Sequence, residues 1–176
     1  MSRIVILGNA GGGKSTLARR LAKRHGLIHF EIDKYLWQEG WIPAPVESYS
    51  EQHRQIISSD NWIVDGLGLR DSITPRIDRA TDIILIDMPL WMHFWLAAER
   101  QIAWSSGELQ HAPGGLSAMP PTRDLFRTIW DIDRDWMPGI RSLCDDAERA
   151  GKTLVRIRSV DELERLTPAA KDGCAS

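Results

Sequence analysis

Gly8, Asn9, Ala10, Gly11, Gly12, Gly13, Lys14, Ser15 and Thr16 read G-x-x-x-x-G-K-S, the spacing of a phosphate-binding loop. Glycines let the backbone curl until successive N–H groups face a phosphate, and a helix beginning at the lysine adds its positive end. Lys14 brings a point charge to β- and γ-phosphates, and Ser15 a hydroxyl for Mg²⁺. The loop follows the apolar run Ile4–Leu7 and precedes the helix-forming Leu17–Ala22, the strand-loop-helix context the motif requires.

A metal-nucleotide site needs a carboxylate, and two apolar runs end in one: Asp65 after Trp62–Val64 and Asp87 after Ile83–Ile86. Asp65 is the expected Mg²⁺ residue, acting directly or through water. Gly66 and Gly68 after it permit close backbone approach, whereas Asp87 leads into Pro89 and reads as a strand-end turn or cap. Glu31 and Asp33, two apart at the end of another apolar run, are expected on one strand face, where one orients metal-bound water and the other accepts a proton from an acceptor hydroxyl.

Phosphoryl transfer also calls for positive charge around the migrating group. Among the arginines, Arg100 ends a helical pattern before a Gly/Pro-rich segment, and Arg123 and Arg127 follow that segment. With Lys14 and Asp33 they form the expected catalytic set. Trp37 and Trp41, just past Asp33, are candidates to line an acceptor pocket. Trp91 and Trp95, four apart on a helical pattern, read as core packing, as do most of the eight tryptophans. His25 and His29 are four apart without an HExxH pattern or a cysteine partner, and His53, His93 and His111 show no catalytic partner.

Short apolar runs must position these groups. Ile4–Leu7, Ile28–Ile32, Trp62–Val64, Ile83–Ile86 and Leu154–Ile157 alternate with helical patterns at 14–25, 46–59, 90–104, 123–149 and 161–166. Runs this continuously apolar belong to a parallel sheet covered on both faces, with the loop at its carboxyl end. One domain over residues 1–166 is expected, with an acceptor-binding segment at 34–61, a lid at 105–122 and a flexible tail at 167–176.

The net charge of −2 supplies no overall attraction to nucleic acid or anionic lipid, so direct nucleic-acid binding is not expected. Cys144 and Cys174 cannot build a disulfide framework and read as reduced thiols. With no secretory pattern and no run of 18 apolar residues, a cytoplasmic location off the membrane is the expectation.

The loop, Asp33, Asp65-Gly66, Asp87-Met88-Pro89 and Arg100, in this order, resemble nucleoside-monophosphate-kinase-type P-loop proteins related to adenylate kinase and shikimate kinase. Asp65-Gly66-Leu67-Gly68-Leu69-Arg70 is similar to the D-G-F-P-R element of adenylate kinases, with the proline replaced and the arginine one place late. The chain also resembles a bacterial subgroup labelled DNA topology-modulation proteins. It shares the loop, Ile32-Asp33-Lys34-Tyr35-Leu36-Trp37, Trp62-Ile63-Val64-Asp65-Gly66, the run from Arg76 to Pro89, and Arg158-Ser159. The resemblance implies a three-layer P-loop NTPase fold whose five parallel strands run 2-3-1-4-5. It also implies ATP and Mg²⁺ as cofactors, an acceptor touching Asp33, Trp37, Gly66 and Arg70, and Arg158 near the nucleotide base.

The expected activity is an ATP- and Mg²⁺-dependent kinase acting on a nucleotide or another small hydroxyl or phosphate acceptor. The alternative is a nucleotide-binding regulator of DNA topology with weak or no turnover. A GTPase switch would use Asp65-Gly66-Leu67-Gly68 as D-x-x-G, but the chain has no N-K-x-D motif.

Overall fold

The computed structural model describes residues 1–109 and 119–166. The central strand β1 (Ser2–Gly8) is followed by α1 (Lys14–His25), β2 (His29–Glu31) and a short α2 (Asp33–Leu36). A small hairpin of β3 (Trp37–Gln38) and β4 (Ile42–Pro43) leads to α3 (Val46–Ser58). Then come β5 (Asn61–Asp65), α4 (Ile73–Arg79), β6 (Asp82–Ile86) and α5 (Leu90–Ser105). Helices α6 (Thr122–Asp135) and α7 (Met137–Arg149), strand β7 (Thr153–Ile157) and α8 (Val160–Leu166) complete the described chain.

The main sheet is parallel throughout, in the order β2-β5-β1-β6-β7. Counted along its own five strands this is 2-3-1-4-5, the expected order. Period-two alternation sorts its side chains into two cores. Val5, Leu7, Trp62, Val64, Ile83 and Leu85 face one side and pack with residues of α3, α4 and α7. Ile4, Ile6, Ile63, Ile84 and Ile86 face the other, against α1 and the apolar stripes of α5 and α8. Both sheet faces are therefore dry, which is why the strands read as unbroken apolar runs.

Four local expectations are corrected. Residues 123–149 form two helices, broken at Trp136, because Pro138 at the start of α7 has no N–H and its ring excludes the preceding turn. Ile32 adopts helical angles and Asp33 opens α2, so the strand-face argument holds for Glu31 but not for Asp33. Helix α4 went unread because its seven residues are too few to show a period. Trp91 and Trp95 are 62% and 60% exposed, not core; the tryptophan that fills the core is Trp62. Of the expected lid, residues 110–118 lie outside the described residues, as do the tail 167–176 and Cys174. Among the described residues, no helix is long and apolar enough to cross a membrane.

Candidate active site

The phosphate-binding loop leaves β1 at the carboxyl edge of the sheet. Gly13 caps α1 in the left-handed region, φ 79°, where a side chain would be strained. Asn9 is fully buried and braces the turn: its side-chain carbonyl accepts from the Ala10 N–H at 2.7 Å, and its amide donates to the Ile129 carbonyl of α6 at 2.8 Å. The Lys14 ammonium, also buried, donates to the Asn9 carbonyl at 2.8 Å. Burial pulls the Lys14 pKa down, against the opposing pull of Asp33 and Asp65.

Register brings the acids to this lysine. Glu31 pairs with Asp65 across β2 and β5, so both strand ends reach the loop together. The Ser15 hydroxyl donates to one Asp65 oxygen at 2.6 Å, and His29 Nε2 meets the other at 2.6 Å. Asp65 is 1% exposed, and both its oxygens are held. Asp33 accepts from the Gly68 N–H at 3.2 Å. Burial raises its pKa, partly countered by Lys14. Gly66 makes this approach possible, since at φ 100° a Cβ there would sit 2.9 Å from an Asp33 oxygen.

Behind the acids lies a buried arginine that the sequence offers only as one of several available cations. Arg76 is fully buried and donates to the Ser72 carbonyl at 3.2 Å, the Gly66 carbonyl at 2.8 Å and the Leu67 carbonyl. It pins the turn that presents Gly66–Gly68 to Asp33. The signal lay in its spacing: Arg76 falls between Ile73 and Ile77 on the inward side of α4. His29 and His93, which show no partner in the sequence, find one in the fold. His93 Nδ1 meets the Ala10 carbonyl at 3.0 Å, and the ring packs so close to Gly12 that a Cβ there would collide with it. The register that sets Glu31 opposite Asp65 also carries His29 to the same acid.

These groups open into a cleft of about 1280 Å³. Its lining takes in Ala10 to Thr16, Glu31, Asp33 and Arg100, together with the indoles of Trp37, Trp41 and Trp136. Trp37 and Trp41 meet edge-on at 5.9 Å between centroids, and Trp41 holds a left-handed backbone, φ 61°, which is strained for a bulky residue. Arg100 is half-buried, with its Nε buried and unpartnered, and burial lowers its pKa.

Several expected site residues lie elsewhere. Arg123 and Arg127 are exposed and outside the cleft lining, because α6 turns its arginines to solvent. Arg70 is exposed; it donates to the Asp135 carbonyl at 2.9 Å and lies over the Trp136 ring. Arg158 is exposed, and the neighbouring Val160 and Leu163 line the cleft in its place. Gly8 sits beneath the loop against Ile86. Asp87 is neither turn nor cap: Arg141 meets it at 2.7 Å and Arg156 at 3.5 Å, a structural cluster joining β6, α7 and β7.

No protein-family model matches the chain, and no curated protein matches it. Among solved structures it is similar to shikimate kinase from Bacteroides thetaiotaomicron, with 12% sequence identity, a TM-score of 0.56, and 94% of each chain covered. That likeness supports the P-loop kinase-like architecture implied by the motifs and does not extend to the bacterial topology-modulation subgroup. The chain has the three-layer α/β P-loop fold, with its glycine-rich loop, two strand-end acids and an aromatic-walled cleft at one edge of the sheet.

Proposed function

We propose that this protein is an ATP- and Mg²⁺-dependent kinase that phosphorylates a small molecule bound between Asp33 and the tryptophans. The observation that carries the reading is the meeting of Lys14, Ser15 and Asp65 at the start of α1, with Asp33 across the same cleft. The donor set fits a polyphosphate. Lys14 and Arg100 are cations drawn out of water, and Arg100 Nε has no partner, so an anion between them would satisfy both. The loop amides add further donors.

The residues also fit Mg²⁺. Ser15 Oγ is the hydroxyl such loops offer to the ion, and Asp65, already bonded to it, would orient the ion's water. No cluster of three His, Cys, Asp or Glu side chains able to hold a metal by itself occurs among the described residues, so the ion would be bound with the nucleotide. Bound there, it supplies charge neutralisation of the phosphates. Lys14 and Arg100 hold and polarise the transferring end of the nucleotide, and Asp33, whose burial makes it a stronger base than an exposed aspartate, takes the acceptor hydroxyl proton.

Calorimetry tests the reading. Parent protein should bind ATP with Mg²⁺, and Lys14→Ala should lose about 10- to 150-fold in affinity, the range for hydrogen bonds to charged groups. Equal ATP affinity in Lys14→Ala would overturn it. A salt-dependent DNA gel shift in the absence of any ATP turnover would favour the regulatory alternative.

A further inference from the structure

Helices α5 and α6 pack side by side in opposite directions. Late in α5 the Gln101 amide donates to the Pro120 carbonyl, just before α6, at 3.0 Å; a turn or two earlier the Phe94 and Phe126 rings meet at 5.2 Å between centroids. Burial of His93, Ala97 and Gln101 fixes the rotation of α5. At about 3.6 residues per turn, Trp91, Trp95 and Ile102 then share one outward stripe. Their exposures are 62%, 60% and 68%. Trp130, one turn past Phe126 and 53% exposed, extends the patch onto α6. None of these four side chains lines the cleft.

At up to about 250 Å² for a whole indole side chain, the three tryptophans leave roughly 400 Å² in water on each chain, the size of a functional patch. Two copies joined on this face would remove about 800 Å² from these rings alone; Ile102 and the flanking residues carry the total past the roughly 1,000 Å² that a specific interface needs. Charge selects the occupant. The contact with α6 lies on one side of the α5 stripe, at Phe94 and Gln101, and Glu99 lies on the other. Arg123 shares the outward stripe of Trp130 on α6, and the pairing of Gln101 with Pro120 and of Phe94 with Phe126 sets it level with Glu99. Both are exposed, and neither makes an ion pair among the described residues. An apolar ridge with an acid on one bank and a base on the other is complementary to itself about a two-fold axis along the ridge. An anionic lipid surface would instead repel Glu99.

We propose that this face binds a second copy of the chain. The two α5 helices run alongside each other in the same direction, with Trp91, Trp95 and Ile102 at the centre, and Glu99 of each copy meets Arg123 of the other at either edge. Aromatic anchors in the middle with charges at the rim are the usual anatomy of such a contact. Because the surface lies outside the cleft, association and nucleotide binding are separately measurable.

Analytical ultracentrifugation of the full chain across micromolar concentrations tests the pairing. Parent protein should sediment at twice 19.9 kDa and dissociate on dilution. Trp91→Ser/Trp95→Ser should weaken self-association by about ten-fold or more, the loss expected on removing aromatic anchors, with the circular dichroism of the parent retained. Glu99→Arg and Arg123→Glu each place like charges at both edges and should weaken association about three-fold or more. The double variant Glu99→Arg/Arg123→Glu exchanges the charges and should restore the parent's dissociation constant. A parent that stays monomeric at every concentration, a dimer indifferent to the tryptophan variant, or a double variant no tighter than the single ones would overturn the proposal. Monomeric parent that co-sediments with phosphatidylserine vesicles would overturn it too, giving the face to a lipid surface.

Discussion

Asp33 combines two demands that oppose each other. Burial raises its pKa above the ordinary aspartate value, so the folded protein holds the proton more tightly than the unfolded chain does. The contribution of this group to stability is therefore full below pH 3.8 and is lost as pH rises through the folded pKa. Asp33→Asn should raise the melting temperature at pH 7 while abolishing phosphoryl transfer, a trade that thermal unfolding and an ADP-release assay would reveal together. The two strand-end aspartates should separate in the other direction. Asp65→Asn removes the acid that holds Ser15 and should abolish Mg²⁺-dependent turnover. Asp87→Asn frees Arg141 and Arg156 and should instead cost about 1–2 kcal/mol in urea unfolding, with catalysis largely retained. Equal rates in the two variants would remove Asp65 from the metal role.

At the scale of elements, the phosphate loop and the strands were legible because each depends on a local pattern: glycines at fixed spacing, or a continuous apolar run. Partners formed between distant elements were not. His29 meets Asp65 only through the β2–β5 register, and Arg76 finds the Gly66 carbonyl only once α4 folds back on the turn. Nearness to a Gly/Pro-rich segment says nothing about helix rotation, and Arg123 and Arg127 turn outward; the half-buried Leu125 and Ile132 mark the inward stripe that sets it. Asn9, expected only as one of the nucleotide-binding loop residues, also clamps the loop to α6. Asn9→Ala should cost about 1–3 kcal/mol, the penalty for stripping a buried hydrogen-bonding group, and should weaken nucleotide binding with Lys14 intact. Urea unfolding and calorimetry on the same variant check both halves.

For the whole molecule, acid sensitivity should concentrate behind the site rather than in it. His53 is 4% exposed, its ring stacked on Tyr49. Burial, reinforced by the charge of Arg76, pushes its pKa from 6.5 down to about 4. The unfolded chain binds this proton first, so the stability His53 protects is present above pH 6.5 and is lost as pH falls through about 4, a loss of about 3 kcal/mol at most. His53→Phe keeps the stack and removes the titration, and urea unfolding of that variant between pH 7 and pH 4.5 should be the flatter of the two. The hydrogen bond from Asn9 to Ile129 has a consequence in time as well as in space, for it closes across 120 residues of chain. A nascent polypeptide of 120 residues would carry every letter of the glycine-rich motif and still lack the carbonyl that braces it. The ribosome thus writes the nucleotide site first and completes it nearly last, so a growing chain cannot capture ATP tightly until α6 has emerged.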